Sequence, residues 1–553
     1  MCRIHSTLLS MAVLTALGLT FSGCGGGEHK HKIPIQQSPI TAQPPVKAIF
    51  FPTPPPTPGP QELEHAAPPP VKVGRFVRGP VRQIPSSKGG EVDVQRSQPP
   101  PGEDPPGDFR FFKNTSVFAG SPSFSTVDEP SLGAADDAGG KAVLYTGNWY
   151  AGVSNNGGSS GSFSFMNPFT LFPASAGGFC CDQRAIYDPS RNLFIWLLQY
   201  GTTGGCSAAT PPVCTGNNIY RIAVSNGPAG LLGGSWCYYD FSPQSLGMPA
   251  GLQFDYPHIA LSNNFVYFSA NSYLSRSVAG TDWRQSSIVR IPLDPLVTCA
   301  GYTFSYLNVT DHYDFTLAQG ATDTMYFASI NSTSSVRIYK WAESSGTIFL
   351  FDRNVSSWTA GGSPCTDPGG VDWCSRSGNG GRSSTGWINQ NPGRAQGPTA
   401  VGFMWNAAAC TNRQTCGFNR PFPYVRVLRF DQSNLNLINE PDIWNPSYAF
   451  QFPSVGVDAR GHLGGTMFWG GGSFFPTLVA FIWDDFTCDP YACGWENYGA
   501  VGSTASNANW GDYLDTRRQS PNSNTWVGTG FSYDGSNLTP QFLWFGRDRD
   551  TPP

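Results

Sequence analysis

Charge is scarce in this 553-residue chain: Asp, Glu, Lys and Arg together make up 13% of it. The net charge of −4 leaves no basic field to attract a phosphate backbone, which excludes nucleic acid as an expected partner. Beyond the first two dozen residues, no apolar run approaches the roughly 20 residues that a membrane-crossing helix needs. CxxC spacing is missing too, and no His sits beside a cysteine pair in a zinc-like pattern. Neither a metal site nor a cofactor is therefore expected.

What the chain does have begins with a leader. Arg3 and His5 precede an apolar stretch over residues 8–19, with small residues at Ser22 and Gly23, which reads as a signal peptide over 1–23. The run Phe21-Ser22-Gly23-Cys24 resembles the bacterial lipobox, with Phe21 where Leu is usual. That resemblance implies a lipoprotein of the cell envelope, acylated on Cys24 and attached to the membrane through that lipid alone. Residues 24–107 then carry three triple prolines, at Pro54-Pro55-Pro56, Pro68-Pro69-Pro70 and Pro99-Pro100-Pro101, with no hydrophobic period. Such composition predicts a disordered, solvated tether. At ~3 Å per residue it would hold the folded part on the order of 100 Å from the membrane.

The folded part is expected over residues 108–553. Few charges with abundant Gly, Ser, Asn and aromatics point to an all-β exported protein with many turns. Twelve cysteines follow Cys24, an even number that favours disulfides in an exported chain. Four pairs are close in sequence: Cys206/Cys214, Cys365/Cys374, Cys410/Cys416 and Cys488/Cys493. The remaining four allow a Cys237–Cys299 bridge with a vicinal Cys180–Cys181 bridge, or crossed alternatives.

Internal repetition is the strongest signal. A short apolar strand, a turn and an aromatic-rich second strand recur roughly every 50 to 80 residues. The first strands begin near Glu129, Arg184, Tyr256, Phe315, Pro398, Pro453 and Trp510. A third strand often follows with Arg between apolar residues, as in Tyr220-Arg221-Ile222, Val289-Arg290-Ile291, Val336-Arg337-Ile338 and Val425-Arg426-Val427. No such small sheet can bury both faces alone. Seven of them packed radially bury a continuous core with short protected edges, so the expected fold is a seven-bladed β-propeller; a sandwich array or a β-helix is the competitor.

Three of the repeat segments carry a resemblance: Ala185-Ile186-Tyr187-Asp188-Pro189, Asp255-Tyr256-Pro257-His258 and Trp510-Gly511-Asp512-Tyr513. They resemble the sialidase-like, Asp-box superfamily of bacterial propellers. Residues 154–160 look like a degenerate Asp-box, with Asn156 in place of Asp and Gly161 in place of Trp. Asp-boxes are turn motifs outside the active site, so this resemblance implies the fold and no chemistry.

Propeller ligands usually meet the central face, where chain leads into each innermost strand. The candidates there are Asp182, Gln183 and Arg184; Asp255, Tyr256 and His258; His312 and Asp314; Asn391, Arg394 and Gln396; and Trp510, Asp512 and Tyr513. His258, Tyr256, Asp314 and Asp512 are the catalytic candidates. Arg184, Asp182, Arg394, Trp510 and Tyr513 are the ligand-binding ones. A sialidase would need three arginines on a carboxylate, for which Arg184, Arg394 and Arg517 are available without any spacing that requires it. A polysaccharide lyase would use His258 or Tyr256 as base and Arg184 or Arg394 on a uronate carboxylate. A vicinal disulfide beside Asp182 would offer a sugar ring an apolar platform. No complete acid/base set emerges, so the expectation is a displayed propeller that binds a glycan or an envelope protein. The alternative is a carbohydrate-active lyase or hydrolase, and an envelope structural component is a third reading.

Overall fold

A computed structural model describes residues 31–55, 90–91, 93–94, 109–118, 128–137, 140–204, 215–275, 283–359, 365–374, 384–389, 399–411, 419–484, 487, 495–506 and 510–551. Signal peptide, Cys24, Cys206, Cys214, Cys416, Cys488, Cys493, Asn391, Arg394 and Gln396 lie outside the described residues.

Strands make up most of the regular structure among the described residues, in seven successive antiparallel units. Their innermost strands are Ser131–Asp137, Phe179–Asp188, Leu252–Leu261, Thr316–Gln319, Ser384–Asn389, Ala449–Val457 and Thr516–Arg518, here units I to VII. Each innermost strand packs on the next, and that of unit VII packs on that of unit I. The units therefore form a closed ring, the radial arrangement of a β-propeller. Units IV and V are also joined at the axis, where Ala318 and Gln319 run parallel to Gly386 and Trp387.

Unit II shows why these sequences make strands packed on both sides. Its second strand, Leu193–Tyr200, is apolar at nearly every position and buried along its whole length. The even-numbered face packs with unit I through Phe194, Trp196 and Leu198, and the odd face packs with unit III through Leu193, Ile195 and Leu197. A strand with one wet face would alternate; a sheet clasped between two neighbours has no wet face. The ring is closed by backbone hydrogen bonds between distant parts of the chain: Phe109–Ser116 forms the outermost strand of unit VII against Leu538–Arg547.

The third-strand arginines serve the units themselves. Arg221 forms two hydrogen bonds with Asp240, Arg337 pairs with Asp352, and Arg426 is buried against Asp442 and Glu440. Arg290 lies between the rings of Phe265 and Trp341 and donates to the Ala342 and Glu343 carbonyls of the next unit.

Two expectations need correction. In the fifth unit, the strand at Ala400–Ala407 is the second one, and Ser384–Asn389 is innermost. Asn391, Arg394 and Gln396 thus follow the innermost strand instead of leading into it. The innermost strand was hidden because Ser-Thr-Gly-Trp-Ile-Asn has only two large apolar residues and takes its burial from its neighbours.

The larger correction concerns 24–107, which is not wholly a free tether. His31–Pro34 pairs with the outer strand of unit IV, Gln36–Ile40 with that of unit III, and Gln43–Lys47 with that of unit II. Phe51 exchanges two backbone hydrogen bonds with Phe165 at the edge of unit I. Further along, Gly90–Glu91 and Asp93–Val94 pair with the outer strands of units V and VI. Proline is tolerated because an outermost strand needs only one of its two edges for hydrogen bonding. Ile33, Ile35, Ile40 and Val46 pack onto the cores of the units they border, so the segment buries more than its composition suggested.

Candidate functional site

Asparagines hold the chain where it leads into several innermost strands. Asn148 accepts from the Glu129 amide at 2.7 Å, Asn218 from Phe254 at 2.6 Å, Asn271 from Asp314 at 3.1 Å and Asn406 from Phe452 at 2.9 Å. Tyr256, Asp314 and Phe452 adopt left-handed backbone, with φ of 59°, 52° and 60°. For side-chain-bearing residues that costs on the order of 1–3 kcal/mol each, held in place by the surrounding bonds. Innermost strands II, III and VI carry bulges at the same level. Bulges of this kind re-aim the side chains beside them.

The result is a buried cationic group. Arg184 stands 3.4 Å from Asp515 and lies 3.9 Å from the ring centre of Tyr513. Arg517 donates to the same Asp515 at 3.0 Å. Asp515 also bonds the Ser131 hydroxyl. His258 belongs to the same field and packs edge-on to Tyr256 at 4.9 Å. Burial, and then Arg184 and Arg517, hold the His258 imidazole well below its ordinary 6.5, so it is neutral. Burial and Arg184 also bring the Arg517 guanidinium down to about 10 against the opposing pull of Asp515.

Two guanidiniums therefore share one carboxylate. Nε and Nη1 of Arg184, Nε of Arg517 and Nε2 of His258 have no hydrogen-bond partner among the described residues, although all three side chains are buried. Buried charged donors left so carry a desolvation cost that an incoming anion removes.

Beside this group sits an acidic one. Glu129 accepts from the Asn148 side-chain amide at 2.8 Å and from the Asp512 backbone amide, and it hydrogen-bonds Asp182. Burial, reinforced by the charges of Asp182 and Asp512, raises the Glu129 carboxyl well above its ordinary value. Burial likewise raises Asp128, opposed by its bond to Tyr150. Glu129 is thus a carboxyl that holds its proton more tightly than a free one.

A cavity of about 750 Å³ lies on the axis, because every unit lines it: Ala134, Ile186, Leu261, Gln319, Ile388, Val457 and Arg517. It extends past the downstream ends of the innermost strands to Asp188, Asp458 and Arg518. The expected mouth was at the leading ends. Toward those ends, Gln183 donates to the Tyr150 carbonyl and accepts from Trp196, and Tyr150 bonds Asp128. Arg517 is shared by the cavity and the cationic group.

The structure brings together Arg184, Tyr513, Tyr256 and His258, with Asp182 and Asp512 in the adjoining acidic group. Asp255 accepts from Gln199 at 3.2 Å, and Asp314 is held by Asn271, the register partner of Asp255. His312 is elsewhere, between Asn331, Asp311 and Arg337 of unit IV. Trp510 is corrected: it is fully buried against Trp373, Phe468 and Phe531 and donates to the Ser506 carbonyl, leaving no face for a ligand. Sequence reasoning missed Glu129 and Asp515, which read as ordinary turn carboxylates; their position just before and inside recurring first strands was the available signal. Cys180–Cys181, Cys237–Cys299 and Cys365–Cys374 are disulfide-bonded, and Cys410 is bridged as well. Cys181 is buried and Cys180 half-buried, in the bulge that precedes Gln183.

No protein-family model matches the chain, and no curated protein sequence matches it. Solved structures with some likeness include the GH93 α-L-arabinofuranosidase of Fusarium graminearum with arabinobiose, at 9% identity and TM-score 0.36, covering 78% of this chain and 98% of that one. The Penicillium chrysogenum α-L-arabinanase with arabinobiose stands at 8% identity and TM-score 0.35, covering 79% and 98%. The NanB sialidase of Streptococcus pneumoniae stands at 9% identity and TM-score 0.35, covering 74% and 84%. Scores of that size assign no activity.

Proposed function

We propose that the chain is a seven-bladed β-propeller of the cell envelope, anchored by lipid on Cys24, that takes the carboxylate of an acidic glycan at its axial cavity and acts on that glycan. The observation that carries this reading is the pair of buried guanidiniums, Arg184 and Arg517, sharing Asp515 while three of their N–H-bearing nitrogens have no partner among the described residues. A carboxylate at Arg517 supplies the missing counter-charge, and planar guanidinium matches its two oxygens. A mostly polar cavity mouth with apolar walls suits a sugar ring.

Catalysis rather than binding alone is read from two groups with opposite tendencies. Neutral His258 keeps Nε2 available to accept a proton, and Glu129, its carboxyl raised by burial, is the candidate to give one. That pairing suits cleavage of a uronate-type glycan better than simple retention.

Calorimetry with galacturonate and glucuronate oligosaccharides, and with neutral oligosaccharides of equal length, tests the anion reading. Binding of the acidic set that weakens at least tenfold in Arg517→Met is expected; equal binding of the neutral set overturns it. Reducing ends and the absorbance of unsaturated uronates, followed with the same substrates, test turnover. Turnover that survives His258→Gln unchanged overturns the assigned role of His258, and no turnover with intact binding reduces the protein to a glycan-binding propeller.

A further inference from the structure

The strands at residues 31–47 change what the lipid anchor does to the whole molecule. Cys24 lies seven residues before His31, and His31 is already paired with Leu350. A fully extended chain of that length spans at most about 25 Å. Leu350 is in the middle of the outer strand Thr347–Asn354, so the chain reaches unit IV at mid-height on its outer rim, not at either mouth of the axial cavity.

Resting on acylation of Cys24, we infer that the outer rim of unit IV is the membrane-facing surface of this protein, held within reach of the lipid headgroups. The ring axis then lies along the membrane plane. The mouth of the axial cavity faces sideways, where a long polysaccharide reaches it without passing between protein and lipid. Lys32, exposed on this rim and 5.6 Å from the Phe349 ring centre, places one cation toward the headgroups. An interfacial Lys of this kind adds only a weak attraction to an anionic surface. The orientation is therefore imposed chiefly by the short leash. Residues 56–107, which follow the docked strands, add nothing to the distance from the membrane.

The test uses full-length acylated protein in vesicles of phosphatidylethanolamine and phosphatidylglycerol. A photoreactive residue replaces either Lys32 or Arg110; Arg110 is exposed on the outer strand of unit VII, which is among the units farthest from unit IV round the ring. Mass measurement of the N-terminal peptide reports acylation separately. Lipid adducts at least tenfold more abundant from position 32 than from position 110 are expected, with their loss when forty Gly/Ser residues are inserted after Gly27. Equal adducts from both positions, or none from position 32 on acylated protein, overturn the orientation. Adducts that persist after the insertion overturn the leash as its cause. An unacylated Cys24 overturns the anchoring itself, and the mass shows which has failed.

Discussion

Docking of residues 31–47 on the sheet edges can be measured at one side chain. Ile40 pairs opposite Tyr302 and packs on the core shared by units II and III, partly buried. Truncating a fully buried Ile to Ala costs about 2–5 kcal/mol, and partial exposure brings Ile40→Ala to about 1–2 kcal/mol. That cost falls on the local opening of Gln36–Ile40 from Tyr302–Val309, because the rest of unit III keeps its own four strands. At about 1.4 kcal/mol per factor of ten, amides of residues 36–40 should exchange with deuterium roughly 5- to 30-fold faster in the variant. Amides of the inner strand Leu252–Leu261 should not change. Ile49→Ala is the control: Ile49 is 73% exposed, so its removal should leave exchange unaltered. Wild-type amides over 36–40 that exchange at free-chain rates would refute the docked strand and restore the solvated tether. So would an Ile40→Ala profile superimposable on wild type.

Other outcomes follow from the same structure. Arg184→Met, which leaves Arg517 with sole use of Asp515, should weaken binding of acidic oligosaccharides at least tenfold without changing the fold, as read by calorimetry and circular dichroism. Folded Glu129 binds its proton more tightly than the unfolded chain does, so its contribution to stability is full below its ordinary 4.5 and is lost as pH rises toward the folded value. Glu129→Gln, which mimics the protonated acid, should therefore gain stability over wild type as pH rises above 4.5 in denaturant titrations; a constant difference would refute the raised carboxyl. Folded His258 refuses a proton that the unfolded chain accepts, so stability falls as pH drops below 6.5, and His258→Gln should flatten that limb. Cys237 and Cys299 are 62 residues apart, and a loop of that size is worth ~4 kcal/mol by chain entropy. Replacing both with Ala should lower the denaturant midpoint, and an unchanged midpoint would refute the structural role.

How much was legible depends on whether a residue's neighbours lie close in sequence. Strand pairs joined by short turns, such as Phe179–Asp188 with Leu193–Tyr200, are local, and alternating apolar and aromatic residues reveal them directly. The disulfide at Cys365–Cys374 is local in the same sense. Ser384–Asn389 was missed because its burial comes from units IV and VI rather than from its own side chains. Residues 31–47 were misjudged for the same reason: sparse apolar residues and prolines cannot fold alone, yet they complete edges built by chain some 200 to 300 residues away.

By itself, then, the sequence determined a β-rich chain built from a recurring small sheet, since strand period and turn chemistry act over a few residues. It also singled out as candidates the residues leading into the innermost strands, Arg184, Tyr256 and His258 among them. Only the tertiary structure decided that Arg184 and Arg517, 333 positions apart in the chain, share Asp515. It alone decided that the Glu129 carboxyl is raised by burial and that Trp510 is core. Closing the ring sets unit VII against unit I, and Coulomb and desolvation energies depend on that spatial closeness, which no spacing along the chain encodes.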